Sequence, residues 1–240
     1  RALIDCGTWL ESTVIEKKNL IQQSLAAGKK IHFGDLLTLC SVKHWETPSL
    51  WKHKARICFR GDNVRDEEGA YAIFQELSSS PTAIQGVNAN LAYGCIPGHK
   101  TSCADAIRAY VQALLKSVHK TWVHIPRDLW PPEWRGKYEK PMCLLEKALY
   151  GHPESGGHWE RHLTEAVCAC GGEALHEHPS SFWFPKWKLI LSVYVDDLLV
   201  SGPAANHDKV WHALQSGKKP IVLDPPEDLS RYLGRSHTVW

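Results

Sequence analysis

The chain has 240 residues, 43% of them hydrophobic, and 28 Lys and Arg against 26 Asp and Glu, for a formal net charge of +2. That apolar content can bury a substantial core, as one large domain or two small ones. No apolar stretch is long enough to span a bilayer and no signal-peptide pattern is present, so the eight Cys read as free thiols rather than as a disulfide framework. The first residue is Arg1 rather than Met, which reads as a fragment or a processed product.

In chain order, the apolar positions Leu10, Val14, Ile15, Leu20, Ile21 and Leu25 recur at helical spacing, which predicts a helix over 8–27 with Gly28 as its stop. An apolar segment follows from Ile31 to Val42. Lys54, Arg56, Cys58 and Arg60 then alternate with Ala55, Ile57 and Phe59, the pattern of a strand with one charged face. The surrounding segment is locally basic: Lys43, Lys52, Lys54, Arg56, Arg60 and Arg65 stand against Glu46 and Asp62, with His44 and His53 among them. A solvated basic face is the commoner meaning of such a run, and a phosphate backbone is the functional one. Trp45, Trp51, Trp122, Trp130 and Trp134 lie beside basic residues, which suits stacking on single-stranded bases, although core packing accounts for most tryptophans.

After a break over 78–81, a helix is expected from about Thr82 to Tyr93, ended by Ile96-Pro97-Gly98. Asp105 to Leu115 reads locally as a helix with Asp105 as its N-cap. Pro126, Pro131 and Pro132 make 125–134 extended or looped. A further helix is expected from Gly157 to Gly171, and an edge strand from Phe182 to Phe184.

Two short apolar runs, Leu189 to Val193 and Leu198 to Val200, flank Tyr194-Val195-Asp196-Asp197. This reads as strand, tight turn, strand. Adjacent carboxylates at the tip of a greasy hairpin repel and desolvate poorly, which points to a divalent metal, although Asp also suits turns on its own account. Cys168, Cys170, His176 and His178 form a second possible ligand group, with spacings tighter than structural zinc pairs use.

Five landmarks, in order, resemble the reverse transcriptase domain of copia-type retrotransposon polyproteins. Lys54-Ala55-Arg56-Ile57-Cys58-Phe59-Arg60-Gly61 resembles the family's Lys-Ala-Arg-Leu-Val-Ala-Arg-Gly stretch in the fingers. Asp105-Ala106-Ile107-Arg108-Ala109-Tyr110 resembles its first catalytic motif, Asp-Val-Lys-x-Ala-Phe. Lys147-Ala148-Leu149-Tyr150-Gly151 matches a further landmark, with Trp159 where the family places an aromatic. Tyr194 to Asp197 is similar to the second catalytic motif, and Tyr232-Leu233-Gly234 to the Phe-Leu-Gly element beyond it.

The resemblance implies an α+β fold: a polymerase palm, its antiparallel sheet backed by helices, with a fingers subdomain and no thumb. It assigns 1–84 mainly to fingers, 85–117 to palm, 118–150 to the connection between them, and 151–240 to palm. It moves Asp105 from a helix N-cap to a strand end facing the hairpin. It implies RNA-directed DNA synthesis from deoxynucleoside triphosphates on a template-primer, with Asp105, Asp196 and Asp197 as catalytic metal ligands for two Mg²⁺ ions, or Mn²⁺, Asp105 and Asp196 bridging and Asp197 a nearby, less direct partner. Ala106 adds a backbone carbonyl, Tyr110 is the steric gate against a 2′-hydroxyl, Tyr194 flanks the carboxylates, and Lys54 and Arg56 neutralise phosphates. The implied partners are RNA or DNA and the ribonuclease H and integrase parts of a polyprotein, without membrane, and the implied location is an intracellular particle or the nucleus. The alternative is a decayed remnant that at most binds nucleic acid. One departure stands out: His152-Pro153-Glu154-Ser155-Gly156-Gly157 replaces the family's Leu-Lys-Gln-x-Pro and sets an acidic residue where an amide is usual.

Overall fold

The computed structural model describes residues 2–43, 45–74 and 79–237, so His44 of the basic segment and Ser78 of the expected break lie outside the described residues. The fold is mixed α+β and divides into two compact units, residues 1–77 with 114–155 and residues 78–113 with 156–240. In chain order the main elements are β1 (Trp9–Glu16), α1 (Lys17–Ala27), β2 (Ile31–Lys43), β3 (Lys52–Phe59), α2 (Ile84–Gly94), β4 (His99–Asp105), β5 (Lys120–His124), β6 (Pro141–Leu145), α3 (Ser155–Ala169), β7 (Ser181–Phe184), β8 (Leu189–Tyr194), β9 (Asp197–Pro203) and α4 (His207–Ser216).

The first unit holds a sheet in the order β1-β6-β5-β2-β3, with Arg65–Asp66 added against β2. Its core includes Leu20, Ile31, Phe33 and Met142. The helix expected over 8–27 is corrected here: its first half is the strand β1, paired antiparallel with β6, and only Lys17–Ala27 is helical. The helical spacing of Leu10, Val14 and Ile15 was met by a strand with a register shift between Leu10 and Ile15. Thr13, Val14 and Ile15 are β-branched and fit that setting better. Gly28 stops the helix as expected, in the left-handed conformation at φ +60°.

The second unit holds an antiparallel sheet in which Glu227–Asp228, β4, β9, β8, β7 and Glu173–Ala174 follow one another. The residues of β9 alternate between two cores. Leu198 and Val200 face a cluster that includes Trp159, Leu163, Val167, Val210 and Leu214 of α3 and α4, and Leu199 faces a cluster that includes Val87 of α2. Covering on both faces explains why the strands at the centre of this sheet read as near-continuous apolar runs. Where α2 meets the sheet, Asn90 donates to the Ser192 hydroxyl at 2.9 Å and to the Leu199 carbonyl at 3.1 Å, which meets polar demand in a buried layer.

The local helix signal after Asp105 is overridden. Seven residues of β4 pair with β9, from His99 opposite Pro203 to Asp105 opposite Asp197. Beyond the strand, Arg108 takes φ +53° and only one short turn, Ala109–Gln112, is helical. The Gln112 amide donates to the carbonyls of Ile107 and Val222, which holds this turn against the following chain.

Candidate active site

β8 and β9 form a hairpin with five paired positions, closed by Tyr194 opposite Asp197, so Val195 and Asp196 make a two-residue turn. Such turns favour Gly, Asn or Asp at positions of positive φ. Val195 sits at φ +57°, a conformation that costs a β-branched residue about 1–3 kcal/mol. Local sequence preference does not supply this geometry; the surroundings do. The Trp159 indole of α3 donates to the Val195 carbonyl at 2.7 Å, and the Ala106 amide donates to the Asp196 carbonyl at 2.7 Å.

The Ala106 bond also fixes how Asp105 meets Asp197. It flanks the pair, which makes Asp105 and Asp197 a non-hydrogen-bonded antiparallel pair, the kind whose Cα atoms approach to about 4.5 Å and whose side chains lie closest. The two carboxyls are hydrogen-bonded to each other. Burial, then the charges of Asp105 and Asp196, push the Asp197 carboxyl up from its ordinary range to about 6. Asp105 is exposed at the strand end, and Asp196 and Asp197 are half-buried. The carboxyl in contact with Asp105 is therefore that of Asp197, while Asp196 stands next to it in the turn.

Tyr110 lies in the short turn after β4 and lines one cleft with Trp159, Leu163, Val193 and Val195. Burial and then the charge of Asp196 raise its phenol pKa. Tyr194 is 41% exposed at the end of β8. Ala106 is buried, and its amide is the link between the first motif and the turn.

Sequence reasoning missed three supports. Asp224 donates its amide to the Asp105 carbonyl at 2.9 Å, the Tyr232 hydroxyl donates to the Asp197 carbonyl at 3.3 Å, and Trp159 holds Val195. Tyr232 and Trp159 are landmarks of the resemblance, which gives no sign of these contacts, and Asp224 carries no local signal. Burial, followed by the Asp197 charge, raises the Tyr232 phenol pKa strongly.

Lys54 and Arg56 belong to the first unit, on β3. Residues that lie directly opposite share a face, so Lys54, Arg56, Lys52 and Lys43 project from the same side of the β2–β3 ribbon, Lys43 opposite Lys52. Beyond the ribbon's end, Trp45 and Trp51 are 70% and 53% exposed, whereas Trp134 is buried. Glu154, the acidic residue of the altered loop, is buried and accepts a hydrogen bond from the Ser117 hydroxyl, so its carboxylate is engaged within the first unit.

Among the described residues no group of three or more His, Cys, Asp or Glu stands arranged to hold a metal ion. The chemistry of the three aspartates still fits a hard divalent cation. Their donors are all oxygen, and like charge already raises the pKa of one of them. Of the possible zinc group, Cys168 is exposed on α3, and the Cys170 thiol donates to the Ala213 carbonyl at 3.1 Å, with its pKa raised by burial. No helix among the described residues is long and apolar enough to cross a membrane. No protein-family model matches the chain, and no curated protein matches it.

Proposed function

We propose that the chain is the palm and fingers of an RNA-directed DNA polymerase of the copia-type retrotransposon class, transferring nucleotides from deoxynucleoside triphosphates to a primer 3′-hydroxyl. The observation that carries the reading is the register that sets Asp105 at a strand end directly opposite Asp197, with Asp196 in the adjoining turn. Folding alone gives no reason to gather three carboxylates at one sheet edge.

In nucleotidyl transfer negative charge builds on a phosphate that is already anionic, and the protein's task is positioning and charge stabilisation. Asp105, Asp196 and Asp197 are the residues that would hold two Mg²⁺ ions, or Mn²⁺; the chemistry so supplied is acidification of the primer hydroxyl and neutralisation of the departing pyrophosphate. The Tyr110 ring, which lines a cleft with Val195, would exclude a ribose 2′-hydroxyl by shape. Lys54 and Arg56 offer cationic contacts for phosphates, Arg in bidentate geometry and Lys as a point charge. The partners of this reading are a template-primer, the incoming nucleotide, and the ribonuclease H and integrase portions of a polyprotein, in a cytoplasmic particle or the nucleus.

The rival reading, a remnant that binds nucleic acid without catalysis, draws on the altered loop with its buried Glu154. Primer extension on an RNA template with Mg²⁺ and deoxynucleotides separates the two. The polymerase reading expects extension by the wild type and a loss of about 100-fold or more in Asp196→Asn. Equal extension by both proteins would overturn the site assignment, and binding without extension by either would favour the remnant.

A further inference from the structure

The carbonyls of Val195, Asp196 and Asp197 are three in succession, and each accepts a hydrogen bond from outside the hairpin. The donors are the Trp159 indole at 2.7 Å, the Ala106 amide at 2.7 Å and the Tyr232 hydroxyl at 3.3 Å. The first of these acts on the residue that most needs it, since Val195 occupies the left-handed region at φ +57°. Trp159 is 2% exposed and packed in the core against the sheet, with the His162 ring stacked at 5.8 Å. Its donor is therefore fixed in place before any ligand arrives.

We propose that Trp159 is a positioning residue: its N–H holds Val195 in the left-handed conformation and so sets where Asp196 presents its carboxylate beside Asp105 and Asp197. The mechanism is mechanical. Val195 released from the indole would relax toward negative φ, the turn would change type, and Asp196 would swing away from its neighbours. The kinetic consequence rests on the polymerase reading; the geometric consequence does not.

The test uses Trp159→Phe, which keeps an aromatic ring and removes the donor. NMR gives the Val195 φ through its amide–α-proton coupling and Cα chemical shift, a readout that simple destabilisation of the core leaves alone. The expected result is a move of Val195 from φ +57° to negative φ. Val195→Asn in the same background should restore the positive φ at position 195, because Asn adopts it readily. Primer extension should lose about 10- to 100-fold in kcat, with KM for template-primer unchanged.

An unchanged Val195 φ in Trp159→Phe overturns the proposal, whatever the polymerase assay gives. A Val195 φ moved to negative values, with no extension by the wild type, upholds the positioning role and sinks the polymerase reading instead. Should Trp159→Phe fail to fold, benzothienylalanine at position 159 replaces only the N–H by sulfur, and the same Val195 φ decides.

Discussion

Asp197 carries a conflict that pH should expose. Burial and two neighbouring carboxylates raise its pKa from an ordinary 3.8 to about 6, so the folded state binds this proton more tightly than the unfolded chain. The stabilisation is complete below the unfolded pKa and is lost as pH rises through the folded one. Metal-free wild type should therefore lose melting temperature relative to Asp197→Asn between about pH 4 and pH 6. His207 has the opposite sign: burial lowers its pKa, so its contribution is present above the ordinary histidine range and is lost as pH falls. Because His207 is common to both proteins, the difference between the two melting curves isolates Asp197. A second residue-scale prediction concerns Ser102, whose hydroxyl lies 2.7 Å from His207 Nδ1 and accepts from the Trp211 indole at 2.9 Å. Ser102→Ala strands both buried partners and should cost about 1–3 kcal/mol in urea unfolding.

Elements differed in how far sequence revealed them, and the reason is whether their signal was local. The β8–β9 hairpin was legible because two apolar runs meet at a polar tip. The strand β4 was not, since Asp105 and the residues after it satisfy helix rules, and only pairing with β9, where Asp105 meets Asp197 92 positions later, overrides them. The family resemblance placed Asp105 at a strand end where local reading placed a helix cap. In β1 the error ran the same way with no resemblance to correct it: helical spacing was matched by residues that pair with β6. The helix α4 went unread, and the Trp159 contact to Val195 is a tertiary hydrogen bond with no local pattern.

Two element-scale tests follow from these contacts. Gly151 has φ +90°, and a Cβ there would stand 2.0 Å from the Phe59 carbonyl oxygen, against backbone that cannot easily yield. Gly151→Ala should destabilise the first unit by about 2 kcal/mol or more, read by chemical denaturation. On the β2–β3 ribbon, Lys43 and Lys52 lie directly opposite and repel. Lys52→Glu should stabilise the ribbon by about 0.2–1 kcal/mol in thermal melts and yet weaken binding of a single-stranded oligonucleotide in fluorescence anisotropy. A gain in both would count against the ribbon as a nucleic-acid face.

At the scale of the whole molecule, each of the two units has its own core and its own sheet. The mixed α+β class came from the family resemblance, and the structure has that class. The division into units was harder, because each unit is assembled from two separate stretches of sequence. Three carboxylates gather at one edge of the second unit, where Asp105 pairs with Asp197 beside Asp196 and where Ala106, Trp159 and Tyr232 bond the turn. The central claim is that this edge is a divalent-cation site. The most direct measurement is electron paramagnetic resonance counting of Mn²⁺ bound to metal-free protein, comparing wild type with Asp105→Asn. Retention of Mn²⁺ by the wild type and its loss in the variant is the predicted result. Equal binding by the two proteins, or none by either, would contradict the claim.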